Sequence, residues 1–418
     1  MLAKRLQVLT QLNNFLKNKR VLITGIKGFV GPYLAEEILN LNGEVYGIDL
    51  PGEIGIHPLK KIIENVEIFE GNLEEKNFVS KVIKKVKPDF IFHLAAKSST
   101  FESFLKPIDF LKANCIGTLN LLETLRKTET STTFIFAGSS DEYGIVISSY
   151  KQYKKLKKKY GEIIPRPNKI PEFPVNEDNP LRPLSPYALT KIYGDFLTRQ
   201  YSNFTKIKGI VARSFNHEGA GRGKGFVSRD IINQVILCKR EGINKIKAGN
   251  IMAMRDWSHV KDIVKGYILI AEKGENGSVY NLGSGRTNSV LTFILLSLEC
   301  AGFKIFEIKS KKYLKKKIEN PLEERKINIY GFKFDSFNID ELVMKEKINF
   351  DIEDEGVIIE TQKGKIEILI DEKRLRPSDA PILLCDNTKI KKLGFRINFT
   401  LKDIIKEMLE YYQTISLE

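Results

Sequence analysis

Apolar and polar positions follow two rhythms along the first third of the chain, and the changes between them mark its elements. Arg20–Thr24 is a short apolar run that leads into the glycine-rich stretch Thr24-Gly-Ile-Lys-Gly-Phe-Val-Gly31, and Pro32–Asn40 resumes at helical spacing. Glu44–Asp49 reads as a second strand closed by an acid. Val66–Phe69 followed by a helix to Lys85 repeats the unit. Phe90–Leu94 follows, then a helix running from Asn114 to Leu125, and then Thr133–Ala137. Strands separated by helix-length segments pair in parallel with helices on both faces, so the expected class is α/β with a doubly wound parallel sheet.

From Gly144 the alternation stops. Residues 145–175 are rich in Lys and Pro, with room for a short helix around Tyr153–Tyr160. The helix of Tyr187 and a strand at Gly209–Arg213 come next. Gly219–Gly225 reads as a mobile loop that opens a helix at Ser228, and 306–372 reads as a second, irregular insertion. The tail of that insertion, Gly356–Ile370, has the pattern of a hairpin turning near Lys363-Gly364. At the other end, Leu2, Leu6, Leu9, Leu12 and Leu16 form a helical stripe. The expected organisation is an N-terminal helix over 1–19 and a cofactor-binding domain over 20–212, interrupted by 145–175. A smaller α/β domain, mainly substrate-binding, covers 213–418 and is interrupted by 306–372.

Charge changes this picture less than its size suggests. The chain of 418 residues carries a formal net charge of +15. Between Lys151 and Lys169 there are seven Lys and one Arg against one Glu, and Lys309–Lys317 holds six more Lys. Cations so concentrated read as solvated insertions, or as attraction for a diphosphate, rather than as a nucleic-acid footprint. Cys115, Cys238, Cys300 and Cys385 are widely spaced with no C-x-x-C pair, so neither a metal site nor a disulfide framework is expected. The N-terminal stripe lacks the continuous apolar region of a signal peptide, and a cytoplasmic protein is expected without membrane or nucleic-acid partners.

The chemistry starts at the glycine stretch. Its strand–loop–helix–strand context is the one a dinucleotide fingerprint requires, which makes the sheet Rossmann-type. Gly25 permits the tight turn, Gly28 lets the backbone approach a pyrophosphate, and Gly31 lets the helix pack on the strand. Asp49 is placed to bind ribose hydroxyls and to repel a 2′-phosphate, which favours NAD over NADP. The second signal is Tyr187-Ala-Leu-Thr-Lys191. A Tyr and a Lys four apart share one helix face, where the ammonium can favour the phenolate and make the Tyr a proton acceptor or donor. Together the two signals point to redox chemistry at a carbon bearing a hydroxyl.

Five motifs carry a family resemblance: Thr24-Gly-x-x-Gly-Phe-x-Gly31, His93-Leu-Ala-Ala96, Asn114-x-x-Gly-Thr118, Ser139-Ser-Asp-Glu-Tyr-Gly144 and Ser185-Pro-Tyr-Ala-x-x-Lys191. With them the chain resembles the extended short-chain dehydrogenase/reductases that act on nucleotide sugars, the NAD-dependent epimerase/dehydratase family. Arg213-Ser-Phe-Asn-His217, Phe226-Val-Ser-Arg229 and Arg255-Asp-Trp257 are similar to GDP-mannose 4,6-dehydratases. Leu375-Arg-Pro-Ser-Asp379 and the Ser139–Gly144 motif are more similar to GDP-4-keto-6-deoxymannose reductases.

The resemblance implies Ser139, Asp141, Tyr187 and Lys191 as catalytic residues. It implies Gly25, Gly28, Phe29, Val30, Gly31, Asp49, Asn72, Leu73, Leu94, Ala95, Ala96 and Asn114 around the cofactor, with Tyr187 and Lys191 beside it. Asn216, Phe226, Arg229, Arg255 and Arg376 are implied for a nucleotide-diphosphate sugar, in a homodimer. Counting back from Tyr143 puts Ser139 and Asp141 at the positions of the dehydratase Ser/Thr and Glu, and strand alternation puts both on one face. Asp is one methylene shorter than that Glu. The expected activity is a GDP-mannose-type 4,6-dehydratase, with a 4-keto-6-deoxy-sugar reductase and a 4-epimerase as alternatives.

Overall fold

Seven parallel strands form the first sheet of the computed structural model, which describes residues 15–329, 331–375 and 380–415. They are β1 (Arg20–Thr24), β2 (Glu44–Asp49), β3 (Glu67–Glu70), β4 (Phe90–His93), β5 (Thr132–Ser139), β6 (Ile207–Ser214) and β7 (Val279–Leu282), in the order β3-β2-β1-β4-β5-β6-β7. All six pairings are parallel. Period-2 alternation sorts their side chains onto two faces. Val21, Ile23, Ile135 and Ile210 pack on one side with the helices Gly31–Asn40 and Val260–Lys273. Leu22, Ile91 and Phe134 pack on the other with the helices Lys76–Val86 and Gly117–Lys127. Of the expected N-terminal helix only Phe15–Lys19 falls within the described residues; there Leu16 is fully buried. Arg376 lies outside them.

The chain crosses between the two lobes after residue 212. After β6 it leaves to build the second lobe, then returns through Val260–Lys273 and β7 to complete the first sheet. A parallel neighbour of β6 demands such a crossover.

The second lobe carries a five-stranded sheet in the order Lys317–Glu319, Ile305–Ser310, Val357–Thr361, Gly364–Ile370 and Lys245–Ala248. Four of them come from 305–370: Val357–Thr361 and Gly364–Ile370 form the expected hairpin, and Ile305–Ser310 and Lys317–Glu319 lie where an irregular segment was expected. The sheet's Ile308, Ile318, Val357, Ile359, Ile366 and Ile368 join one core with Trp257 and with the helices Val227–Glu241, Val290–Cys300 and Leu401–Thr414. The lysine run hid this alternation. Lys309 pairs with Glu307 and Glu360, Lys311 with Glu367, Lys316 with Asp354, and Lys317 with Glu307 and Glu319. These are cross-strand and neighbouring ion pairs on a sheet surface, not a loop's free charges.

Residues 145–175 are anchored as well. Ser149 caps a helix over Tyr150–Tyr160, and Ile147, Ile163, Phe173 and Val175 are buried. Arg182 clamps the arm. Its guanidinium meets Glu172 in a bidentate pair at 2.6 and 2.8 Å and also donates to the carbonyls of Ile145 and Pro165, both at 2.6 Å.

Candidate active site

A cleft of about 800 Å³ opens at the carboxyl ends of the strands of the first sheet and reaches the second lobe. This is where ligands of open parallel sheets bind. Gly25 turns with φ 74°, and a Cβ there would press to 2.8 Å on the Cα of Ala95. Gly31 leaves no room for a side chain against the Ile26 backbone. The Thr24 hydroxyl ties the two loops, accepting from Ala95 N at 3.2 Å and meeting His93 Nδ1 at 2.7 Å. His93 Nε2 reaches Thr118 at 2.8 Å. Burial drives the His93 imidazole down to about 3, so it is neutral and serves as a strut.

At the end of β2, Asp49 accepts from Lys27 N at 2.7 Å and Leu50 N at 2.8 Å. Phe29, Val30, Asn72, Leu73, Leu94, Ala95 and Ala96 line the same end of the cleft. A cradle that any side chain at Gly25 would fill, with an acid one strand away, fits a dinucleotide.

Ser139 is the last residue of β5, while Tyr187 and Lys191 lie in the first turns of the helix Pro186–Phe204, which Ser185 caps by accepting from Ala188 N. All three line the cleft. Lys191 Nζ donates to Ala137 O at 2.7 Å and sits 5.8 Å from the Tyr187 ring centroid. Burial lowers this ammonium to about 8, with Glu142 opposing. Burial raises the Tyr187 phenol, Asp141's charge raises it further, and Ser139 lowers it. Desolvation is the largest influence on this phenol.

Strand alternation is not what separates Asp141 from Glu142. The strand ends at Ser139 and Ser140–Glu142 turn as one 3₁₀ turn. Asp141 faces the cleft and accepts from the Thr100 hydroxyl at 3.0 Å. Glu142 points the other way, fully buried, accepting from Ser139 N at 2.8 Å and Arg213 Nε at 3.2 Å. Arg213 also binds Asp195 at 2.9 Å and the Tyr143 hydroxyl at 3.1 Å. Burial, then the like charge of Asp195, push Glu142 up to about 8.

Asn216, Phe226 and Arg255 line the second-lobe side of the cleft. Arg255 is aimed by bonds to the carbonyls of Met254 and Ala380, both at 2.8 Å. Two assigned residues do not line the cleft. Asn114 spends its amide on Lys97 N, Lys97 O and Thr190, so it braces the loop after Ala96 rather than a ligand. Arg229 is buried with its guanidinium 3.1 Å from the Tyr412 ring centroid.

The sequence reading passed over Thr100 and Arg222. Arg222 lines the cleft between the rings of Phe29 and Phe226, at 4.9 and 3.7 Å, and pairs with Glu218 at 3.3 Å. Its one signal was an Arg flanked by glycines in the loop 219–225. None of the cleft's lining residues comes from 145–175. Among the described residues no His/Cys/Asp/Glu group could hold a metal, and no helix is long and apolar enough to cross a membrane.

Two family models match the chain: NAD dependent epimerase/dehydratase over residues 21–283 and GDP-mannose 4,6 dehydratase over 168–408. A GDP-mannose 4,6-dehydratase of Vibrio cholerae is 28% identical over 405 residues, covering 94% of this chain and 93% of its own. Among solved structures, RMD from Pseudomonas aeruginosa complexed with NADPH superposes with a TM-score of 0.66 at 21% identity, covering 95% of this chain and 99% of that one. A Thermus thermophilus UDP-glucose 4-epimerase complexed with NAD gives 0.65 at 19%, covering 94% and 99%. The chain belongs to the NAD dependent epimerase/dehydratase family and is an enzyme of the nucleotide-sugar dehydratase type.

Proposed function

We propose that the protein is a 4,6-dehydratase acting on a GDP-mannose-type substrate with NAD. The observation that carries this reading is the meeting of Ser139, Asp141, Tyr187 and Lys191 in the cleft that the glycine cradle also lines. NAD, when bound, supplies hydride acceptance at C4 and hydride return at C6, together with positive charge. Tyr187 takes the C4 hydroxyl proton, with Lys191 as its neighbouring cation. Ser139 hydrogen-bonds the C4 oxygen as it becomes a ketone. The ketone acidifies C5, and Asp141 takes the C5 proton as hydroxide leaves C6. Asp141 then returns that proton to C5, and the proton held by Tyr187 completes the water. Arg255 and Arg222 are the guanidinium groups available to the diphosphate.

Incubating the purified protein with GDP-mannose and no added NADH tests the reading. It is expected to yield a 4-keto-6-deoxy product. NADH consumption with a 4-keto-6-deoxy sugar would assign a reductase instead, and inversion at C4 an epimerase.

A homodimer is part of the proposal. Phe101, Leu105, Ile108, Leu111, Leu189 and Phe196 are exposed apolar side chains on helices that pack together, and exposed apolar clusters mark interaction surfaces.

A further inference from the structure

Asp49 is not the only charge at the ribose end of the cleft. Lys27, inside the glycine stretch, also lines it and donates its backbone N–H to the Asp49 carboxylate. A cation there would cancel the repulsion that Asp49 offers a 2′-phosphate, and would by itself attract one. The structure shows why it does not act in this way. An ammonium has three N–H donors, and Lys27 Nζ has three acceptors: Gly52 O at 2.5 Å, Leu50 O at 3.4 Å and the carboxylate of Glu70. The Lys27 side chain is only 13% exposed, whereas that of Glu70 is 48% exposed. The ammonium is thus held in place with its donors occupied and its charge matched. Glu70 ends β3, next to Gly71 and Asn72, which line the cleft. Its bond to Lys27 lowers its carboxyl below the usual range and keeps it ionised at neutral pH. Asp49, Lys27 and Glu70 together leave one net negative charge and no spare donor.

Resting on the NAD reading above, we propose that Glu70 is a specificity-determining residue. By engaging Lys27, it makes the ribose site reject a 2′-phosphorylated dinucleotide. Removing the carboxylate frees one Lys27 donor and changes the local charge from −1 to neutral.

The test is calorimetric titration of the full chain with NAD and with NADP, which reads binding without turnover. The unmodified protein is expected to bind NAD more tightly. Glu70→Ala is expected to tighten NADP about tenfold, the scale of one new charge-assisted contact, while NAD affinity changes by less than about threefold. Glu70→Gln, which keeps a partner for Lys27 but no charge, is expected to fall between. Adding Lys27→Met to Glu70→Ala is expected to restore the discrimination. An unchanged NADP-to-NAD ratio in Glu70→Ala, an equal change for both dinucleotides, or a Lys27→Met addition without effect would overturn the inference. If the unmodified protein bound neither dinucleotide, the NAD reading itself would fall.

Discussion

Glu142→Gln isolates the buried charge network beneath the catalytic strand. The carboxyl is fully buried between Ser139 N and Arg213, and Asp195 lies on the same guanidinium. Its folded value is about 8, against an ordinary 4.5, chiefly because of burial and then Asp195. An acid raised in this way holds its proton in the folded state over a pH range where the unfolded chain has lost it. The folded state therefore binds more protons between about 4.5 and 8, and stability falls as pH rises through that window.

Glutamine copies the neutral carboxyl in shape and keeps an acceptor for Ser139 N, so at pH 5 the variant should differ little from the parent. Its advantage should then grow by at most about 1.4 kcal/mol per pH unit, roughly 3 kcal/mol between pH 5.5 and 7.5. The histidines His57, His93 and His217 pull the other way, because desolvation lowers them to about 4, 3 and 4, and stability is lost as pH falls below about 6.5. They are common to both proteins, so the difference between the two removes them. Urea unfolding of both at several pH values measures it. A stability difference that stays flat from pH 5.5 to 7.5 would refute the argument that Glu142 is protonated there.

Three further outcomes are expected. Tyr187→Phe should lower turnover by about 10²–10⁴-fold and leave dinucleotide binding in titration nearly intact, since it removes the proton and not the ring. Arg182→Met leaves Glu172 buried and unpaired, and should cost about 3–5 kcal/mol in urea unfolding; a loss under about 1 kcal/mol would mean that the arm 145–175 is not anchored there. Leu105→Glu combined with Phe196→Glu should halve the mass seen by light scattering, whereas an unchanged dimer mass would place the interface elsewhere.

The first sheet was legible because two local rules agreed at each step. Period-2 apolar runs and helix-length spacers alternate from Arg20 to Ala137, and Gly25 and Gly31 stand where backbone crowding leaves space for nothing larger. The second sheet was legible only in its hairpin, where Val357–Thr361 pairs with Gly364–Ile370 across the expected turn. Its strands are short and are assembled from segments far apart in the chain: Lys245–Ala248 pairs with Gly364–Ile370 across more than a hundred residues. Its lysines read as solvated loop because the acids that match them stand on other strands. Asp141 was rightly set apart from Glu142 on the cleft side, but by the wrong rule; a 3₁₀ turn, not a continuing strand, separates them.

By itself the sequence determined the class of sheet, the cradle and the side chains proposed for catalysis, because periodicity and short motifs carry them. Tertiary structure alone decided what those side chains experience. Tyr187 and Lys191 are four apart on one helix, yet burial against β5 holds the phenol up and the ammonium down. Asn114 sits in a family motif, yet Lys97 and Thr190 turn it into a brace. Arg222 is one cation among 67 Lys and Arg, and the rings of Phe29 and Phe226, with Glu218, bring it to the cleft. Desolvation and long-range partners are properties of the packed chain, and no local pattern carries them.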